Sequence, residues 1–493
     1  MDISHLRGEI DRIDDQIVKL FIQRMNVAAR IADYKRAHKL PIHVPAREQE
    51  KLQDVTEKAG PEMAEYIKIL YSLLFELSRG YQSKRNTRCG LLGRKLGHSY
   101  SPQIHALLCN YQYDLFEKEP EEIGDFLQNQ EFTAINVTIP YKKDVLPYCA
   151  ELSPQAKLLG SVNTILRRPD GSLFGENTDY YGFSMMLRRT GIQVEGKKVL
   201  VLGSGGASVT VQAVLLEAGA NVVTVSRTGE NNYKNLHLHR DTALIVNATP
   251  VGMFPNNGVS PVDLNLFPQL EGVLDLIYNP ARTKLLLDAE AMGLIIENGL
   301  YMLIAQAKRA AEIFTGTAIP DNRINQIHQK LSLQMENIIL IGMPGSGKSS
   351  VAQALGKLLG RQVADADIEI TRLAGKPIPQ IFTEQGEDAF RKFETEALRE
   401  LCKRSGVIIA TGGGCVTRPE NYPLLHQNSR IFWIQRELSQ LPIDGRPISQ
   451  ANPVNVLYAQ REPLYRQFAD YMIENNTTVE DAAQQIAAYY QGG

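Results

Sequence analysis

The chain has 493 residues, which at roughly 150 residues per domain is three domains' worth and excludes a single compact core. Its 53 Lys+Arg and 55 Asp+Glu give a net charge of −2, so no overall field draws it to nucleic acid or to an anionic membrane. The start, MDISHLRGEIDRIDD, is too charged for a secretory signal, and we expect a cytoplasmic protein. Five cysteines without a C-x-x-C pair indicate neither a disulfide framework nor a zinc–thiolate site.

Residues 1–85 have a helical pattern. Apolar residues recur every three or four positions from Ile3 to Tyr34, which predicts one long amphipathic helix. A second periodic stretch runs from Glu62 to Gln82, and Pro41 and Pro45 stand before it. We therefore predict an all-α unit of a long, a medium and a long helix. Because so extended a unit needs a second copy to bury its apolar stripe, we also predict a homodimer through these helices.

One arginine interrupts the apolar stripe. Arg24 stands where the pattern requires an apolar residue, and burying an arginine is costly unless an anion meets it. It therefore marks a candidate site for a dianionic ligand. Periodicity alone favours the alternative, an arginine that snorkels from a dimerisation helix. Further polar residues that can join such a site are Arg7, Lys35, Arg47, Ser78 and Gln82.

The order and spacing of these residues resemble the all-helical chorismate mutases over 1–82. The resemblance implies rearrangement of chorismate to prephenate. It implies that Arg24, Arg47 and Arg7, the last from the second copy, bind the carboxylates, that Lys35 and Gln82 donate to the ether oxygen, and that Glu48 holds a substrate hydroxyl. Ser78, which shares a helix face with Gln82, is a further candidate for substrate binding. Val44 stands where the family often has an aspartate. The alternative is that these helices only dimerise the chain or bind a regulatory ligand.

After a polar bridge from Ser83 to Arg88, strands alternate with helices. The β-branched runs AINVTI, KKVLVLG, NVVTVS and ALIVNAT are separated by turn residues, which is typical of an α/β fold with a mainly parallel sheet. A polar helical stretch follows Pro320 and runs to Gln334, and a new unit begins at Met335. We therefore predict domains over 1–85, 86–334 and 335–493.

A glycine-rich loop in the central domain indicates a dinucleotide site. The strand KKVLVL leads into Gly203-Ser204-Gly205-Gly206-Ala207-Ser208, which has the first two glycines of G-x-G-x-x-G and a serine in the third position. The next strand ends in Ser226-Arg227-Thr228. An arginine there pairs with a ribose 2′-phosphate, which favours NADP(H) over NAD.

Motifs before and after that loop carry a second resemblance. They are HSYSP (98–102), NVTIPYK (136–142), GSVNT (160–164), ENTD (176–179), NATPVGM (247–253) and Gln306. They resemble shikimate dehydrogenases over about 89–334, with a substrate part at 89–190 and 298–334 and an NADP-binding part at 191–297. The resemblance implies reduction of 3-dehydroshikimate to shikimate with NADPH, Lys142 and Asp179 being the catalytic pair. The implied substrate ligands are Ser99, Ser101, Thr138, Asn163, Tyr278 and Gln306.

The chemistry fits these residue types, since hydride reduction of a ketone needs a proton donor at the developing alkoxide. Known alone, Lys142 and Asp179 would be read as a surface ion pair. From Thr228 to Asn247 the chain is shorter than in the family, as if a helix and a strand were missing. The alternative is a shikimate-binding scaffold without turnover.

The third domain opens with a phosphate-binding loop. The segment 342–349 fits G-x-x-x-x-G-K-[ST] between a strand and a helix pattern. Lys348 would neutralise the β/γ-phosphates and Ser349 would bind Mg²⁺, so ATP and Mg²⁺ are expected. Asp365 and Asp367 follow the next strand; one suits the magnesium shell and the other the attacking hydroxyl. The expected nucleotide ligands are Gly342, Gly345, Ser346, Gly347, Lys348, Ser349 and Ser350.

Further motifs follow the phosphate loop: GEDAFR (386–391), TGGG (411–414), GRP (445–447) and REPLY (461–465). Together with the loop, they resemble shikimate kinases over 335–493. The resemblance implies an α/β P-loop kinase that forms shikimate 3-phosphate. It implies that Arg391, Gly412, Gly413, Gly414 and Arg461 bind shikimate, that Asp367 faces the reacting hydroxyl and that Arg446 reaches the transferring phosphoryl group. The stretch from Arg436 to Arg446 looks shorter than the family's lid. Together the three resemblances imply a trifunctional enzyme of aromatic amino-acid biosynthesis.

Overall fold

A computed structural model describes residues 2–38, 44–86, 88–97, 99–129, 132–441 and 453–491, with backbone alone at 33, 36, 37 and 80–86. The chain forms two compact units. The first comprises Met1–Thr178 and Ala307–Ile319, and the second comprises Asp179–Gln306 and Pro320–Gly493. Among the described residues, none of the helices has the length and apolar character needed to cross a bilayer.

The N-terminal helices are α1 (Ile3–Ala37) and α2 (Pro45–Asn86). Gly60 interrupts α2 with φ 73° and ψ 166°, and Pro61 follows it; only glycine adopts such a φ at little cost. The segments are therefore long, medium and long, which confirms the prediction. The polar bridge at 83–88 is mostly helical, because α2 continues to Asn86, four residues past the predicted periodic stretch, and the first strand begins at Arg88. Lysine, arginine and glutamine are good helix formers, and their polarity did not end the helix.

Small side chains pack between these helices, whereas much of the apolar stripe does not. Ala28, Ala29 and Ala32 are buried. Apolar residues earlier in α1 are exposed, such as Ile17 at 57% and Leu20 at 64%. An exposed apolar stripe is what the homodimer prediction requires, and the homodimer stays a prediction.

The first unit also contains a mixed six-stranded sheet in the order β2-β1-β3-β5-β6-β4. Strands β3/β5 and β5/β6 pair antiparallel, whereas β1 pairs parallel with β2 and β3. Its strands are β1 (Arg88–Gly93), β2 (Gln112–Glu117), β3 (Ala134–Val137), β4 (Glu151–Leu152), β5 (Thr164–Arg167) and β6 (Leu173–Glu176), and its helices are α3 (Ser101–Leu108), α4 (Ile123–Gln128) and α5 (Pro154–Leu159).

The second unit begins with α6 (Asp179–Thr190) and a parallel five-stranded sheet in the order β11-β10-β9-β7-β8. Between β8 and β9 the described residues form a 3₁₀ turn, Leu236–His239; that this stretch is shorter than in the family stays a prediction. The strands are β7 (Lys198–Leu202), β8 (Asn221–Val225), β9 (Thr242–Asn247), β10 (Gly272–Asp275) and β11 (Ile295–Asn298), and the helices are α7 (Gly206–Glu217), α8 (Lys284–Ala291), α9 (Leu300–Thr315), shared with the first unit from Ala307 on, and α10 (Asn322–Met335).

The same unit continues into a second parallel sheet, in the order β13-β14-β12-β15-β16. Because its strands are parallel, the loops at their carboxyl ends share one edge, where ligands bind in such folds. The strands are β12 (Asn337–Ile341), β13 (Val363–Asp365), β14 (Ile408–Ala410), β15 (Ser429–Gln435) and β16 (Tyr471–Glu474), and the helices are α11 (Lys348–Leu359), α12 (Ala366–Ala374), α13 (Ile378–Leu401), α14 (Asn421–His426), α15 (Val454–Phe468) and α16 (Val479–Gln491).

Candidate functional sites

The N-terminal helices enclose a cavity of about 570 Å³ in the first unit. Arg24 is half-buried there, and its Nη1 donates to the Leu74 carbonyl at 3.3 Å and to the Ser78 hydroxyl. The apolar wall contains Val27, Ile31 and Phe75. The structure thus brings together six residues that the sequence singled out: Arg24, Lys35, Val44, Arg47, Glu48 and Ser78.

Two further cations, Lys51 and Arg79, line this cavity. Arg79 forms an ion pair with Glu48. No sequence signal marked Arg79, because its partner lies 31 positions away on the other segment of α2. Arg7 is exposed and does not line the cavity, and the Gln82 side chain lies outside the described residues. The cavity lining thus has more cationic side chains than carboxylates, Glu48 being the carboxylate, and this excess of positive charge suits a dianionic ligand.

The first unit also holds part of the proposed dehydrogenase site. The Asn163 side chain is fixed by the Thr178 backbone N–H, which donates to its Oδ1 at 2.7 Å. The Lys142 carbonyl accepts from the Val162 N–H at 2.8 Å, so Lys142 and Asn163 stand on neighbouring backbone segments. At the start of α3 the Ser101 N–H donates to the Ser99 hydroxyl at 3.2 Å.

The remaining predicted residues of that site are divided between the two units. Thr138 is in the first unit, where its N–H donates to the Leu92 carbonyl at 2.9 Å. Asp179, Tyr278 and Gln306 are in the second unit, Asp179 being the first residue of α6. The pairing of Lys142 with Asp179 therefore stays a prediction.

The dinucleotide loop has the predicted strand–turn–helix geometry. Gly203 adopts φ 107°, and Gly205 is the N-cap of α7. Ser208 replaces the third glycine, and its buried hydroxyl donates to the Gly203 carbonyl at 2.6 Å. This bond closes the loop on the helix, which explains how a serine is accommodated there. After β8, Arg227 and Thr228 are exposed to solvent.

The kinase-like part has a cavity of about 490 Å³ at the carboxyl edge of its sheet. Lys348 is buried at the start of α11, where its Nζ donates to the Gly342 and Met343 carbonyls at 2.9 Å each. The structure brings together most of the predicted residues here: Gly345, Gly347, Lys348, Ser349, Ser350, Asp367, Arg391, Gly412, Gly413, Gly414 and Arg461. Arg446 lies outside the described residues.

An ion pair in this cavity was not predicted. Arg391 donates to Glu394 at 2.6 Å, and both side chains are buried. Burial raises the pKa of Glu394, while Arg391 acts in the opposite direction. Arg461 donates to the Gly413 carbonyl at 3.1 Å. Glu394 follows Arg391 by three residues on a helix, a spacing that could have identified it.

Two oxygen-bearing side chains that the sequence assigns to a magnesium ion, Ser349 and Asp365, adjoin the phosphate loop. The Ser349 hydroxyl donates to Asp365 Oδ2 at 2.7 Å. Hydroxyl and carboxylate oxygens are the ligand type that Mg²⁺ prefers, usually with waters and phosphates completing its shell, so these residues fit the ion. In the described part of the chain, there is no cluster of three or more acidic, histidine or cysteine side chains that would hold a metal without a nucleotide.

Three family models match the chain. Chorismate mutase type II matches residues 6–83, the shikimate dehydrogenase substrate binding domain matches 91–165, and shikimate kinase matches 344–491. The first match disfavours the alternative that the N-terminal helices serve only for dimerisation. Each matched range contains one of the groups of site residues described above.

Curated relatives cover the centre of the chain. The shikimate dehydrogenase (NADP(+)) of Clostridium perfringens strain SM101 is 36% identical over 265 residues, which are 49% of this chain and 97% of the relative. That of Clostridium beijerinckii is 35% identical over 257 residues, 48% of this chain and 94% of the relative. Among solved structures, a chorismate mutase/shikimate 5-dehydrogenase fusion protein from Clostridium acetobutylicum is 35% identical in sequence. The match covers 50% of this chain and 97% of that chain, with a TM-score of 0.48.

Sequence identity of 36% over 97% of a curated relative shows the family of the central, dehydrogenase part of the chain. The chain therefore belongs to the shikimate dehydrogenase family, with a chorismate mutase type II region before the dehydrogenase and a shikimate kinase region after it.

Proposed function

We propose that this chain is a trifunctional enzyme that reduces 3-dehydroshikimate to shikimate with NADPH, phosphorylates shikimate with ATP, and rearranges chorismate to prephenate. The observation that carries the proposal is the convergence of the phosphate loop, Asp367, Arg391 and Arg461 on one cavity within the region that matches shikimate kinase. The product of the central domain would be the substrate of the third.

For phosphoryl transfer, the chain's own residues position ATP and shikimate and neutralise their negative charge. Backbone N–H groups of the loop 342–348 and the Lys348 ammonium hold the phosphates of ATP. Arg391 and Arg461 bind the shikimate carboxylate, and Asp367 accepts the proton of the attacking hydroxyl. Mg²⁺, held by Ser349 and Asp365, would supply neutralising charge at the phosphate oxygens. The remaining predicted residue, Arg446, would stabilise the transferring group.

The reduction needs a hydride, which NADPH provides, and a proton at the developing alkoxide. We assign the proton donor to Lys142, with Asp179 holding the ammonium in place. The loop 203–208 binds the pyrophosphate at the N-terminus of α7. Arg227, exposed beyond β8, pairs with the 2′-phosphate.

The rearrangement needs no acid or nucleophile, only a compact pose and stabilised charge on the ether oxygen. Arg24 and Arg47 bind carboxylates and Lys35 donates to the ether oxygen, as the cationic cavity supports. Completion of the site by Arg7 of the second copy requires the homodimer that the exposed apolar stripe of α1 favours. We place the enzyme in the cytoplasm.

The test is to assay one purified preparation for all three reactions. We expect 3-dehydroshikimate-dependent NADPH oxidation, shikimate-dependent ATP consumption and conversion of chorismate to prephenate. Light scattering should give twice the mass of one chain. Absence of any one reaction would remove that activity from the proposal, and a monomer would remove the shared mutase site.

A further inference from the structure

One turn of the kinase region is held by two loops of the dehydrogenase region within the second unit. The turn is Gln427–Ser429, which joins the end of α14 to the first residue of β15. The Arg282 backbone N–H donates to the Gln427 carbonyl at 2.8 Å, and Arg282 Nη2 donates to the Ser429 carbonyl at 3.0 Å. Asn257 Nδ2 donates to Gln427 Oε1 at 2.8 Å.

These loops leave the carboxyl ends of adjacent strands of the dinucleotide sheet. Asn257 lies on the loop after β9, and Arg282 lies on the loop after β10. The Phe254 N–H donates to the Asn279 carbonyl at 3.0 Å, which joins the two loops directly. Ligands of such sheets bind at this edge, so the turn contacts the loops that border the cofactor rather than the back of the domain.

A buried carboxylate fixes the bases of both loops. Asp275, at the end of β10, is wholly buried. It accepts from Asn247 Nδ2 at 3.0 Å, from the Ile277 N–H at 3.0 Å and from the Thr283 hydroxyl at 2.7 Å. The β10–α8 loop is thus held at its base by Asp275 and at its outer part by the kinase turn.

Tyr278 is on the same loop, four residues before Arg282. It lines a cavity of about 280 Å³ whose other walls include Arg282 and, from the kinase region, Asn428, Ser429 and Arg430. The conformation of the loop that carries Tyr278 therefore depends on groups at the junction of the two regions.

We propose that the kinase turn 427–429 is a docking surface for the two dehydrogenase loops and positions Tyr278 for 3-dehydroshikimate. The inference rests on the proposed dehydrogenase function. The kinase region then contributes to the dehydrogenase as a brace, independently of phosphoryl transfer. Because a freed loop must be ordered again by each substrate molecule, loss of the brace raises KM more than it lowers kcat.

The test compares Arg282→Met, which keeps the aliphatic stem and removes the guanidinium, with Asn257→Ala and the wild-type full chain. We expect Arg282→Met to raise the KM for 3-dehydroshikimate at least fivefold with kcat within twofold. Asn257→Ala should raise the KM two- to threefold, and Arg282→Lys, which keeps a donor, should lie between wild type and Arg282→Met. Arg240→Met is the control, because Arg240 is exposed at the opposite, amino-terminal end of β9.

Shikimate phosphorylation by each variant, measured in the same preparation, reports whether the second unit is folded. A KM within twofold of wild type for both Asn257→Ala and folded Arg282→Met overturns the inference. If Arg282→Met does not fold, Asn257→Ala alone decides. A wild-type chain without dehydrogenase activity rejects the proposed function and this inference together, whereas an active wild type with unchanged variants rejects only the inference.

Discussion

Ser349 donates its hydroxyl hydrogen to Asp365 at 2.7 Å, which connects the first turn of α11 with the end of β13. The same carboxylate accepts from the Asp367 N–H at 2.9 Å through its other oxygen. Asp365 therefore fixes both the hydroxyl proposed for magnesium and the residue proposed to face the attacking hydroxyl.

Replacing Asp365 by asparagine should weaken magnesium use. We expect the Mg²⁺ concentration for half-maximal shikimate phosphorylation to rise about tenfold or more, because one negative ligand is lost and its partner is released. Titration of Mg²⁺ at saturating ATP measures this change. Asp388→Asn is the matched control, since Asp388 is 68% exposed on α13. An unchanged requirement in Asp365→Asn would remove this residue from the site.

Lys348→Ala should separate the two shikimate activities. Phosphorylation should fall by about 100-fold or more, the effect of removing one preorganised donor from a developing charge. Dehydrogenase turnover should stay within twofold, because Lys348 contacts carbonyls of its own loop, Gly342 and Met343. Both rates are read from one preparation. Loss of both would show that the dehydrogenase depends on the phosphate loop and not only on the turn 427–429.

In the N-terminal cavity, Arg24→Ala should abolish most mutase activity. The half-buried guanidinium is fixed by Leu74 and Ser78, so its loss removes a preorganised cation, and we expect about a 100-fold lower kcat/KM for chorismate. Arg12→Ala tests for a general charge effect, because Arg12 is exposed on the same helix and its Nε donates to the Gly8 carbonyl one turn earlier at 3.1 Å. Equal losses in both variants would contradict the assignment.

Asp275 should make stability depend on pH. Burial raises its pKa to about 6 from an ordinary 3.8. Between these two pH values, the folded chain therefore binds a proton at Asp275 that the unfolded chain lacks. The contribution of protonated Asp275 to the free energy of unfolding is fully present below about pH 3.8, and it is lost as the pH rises through 6. Relative to Asp275→Asn, wild type should lose about 1 kcal/mol of unfolding free energy between pH 5 and 7.5. Urea titrations at both pH values test this; a pH-independent difference would contradict it.

Trp433 should report shikimate binding, because it is the chain's single tryptophan. It is buried in β15 and stacks on Tyr465 with ring centroids 5.6 Å apart. The Tyr465 hydroxyl and Arg461 donate to the same Gly413 carbonyl. A carboxylate drawn to Arg461 should therefore shift the Trp433 emission. In Arg391→Ala, a higher shikimate concentration should be needed to reach the saturated shift. An active enzyme whose Trp433 emission does not change with shikimate would contradict binding of the carboxylate at Arg461.

Local patterns predicted the helices, the strand–loop–helix motifs and most residues of the kinase cavity, because periodicity and loop chemistry are properties of short segments. The end of α2 was missed, since a polar composition does not stop a helix. The Glu48–Arg79 pair and the contact of Arg282 with Ser429 join distant segments. Such contacts depend on how elements pack, and nothing in the local sequence indicates them.

Two glycines of the segment 411–414, Gly412 and Gly414, limit how the kinase cavity can evolve. A β-carbon at Gly412 would collide with the Glu394 carboxylate, and one at Gly414 would collide with the Arg391 guanidinium. Neither charged side chain can withdraw easily, since each is buried against the other. The four positions are therefore epistatic: a change at either glycine is tolerated only after the ion pair has been replaced, so they should be inherited as a block.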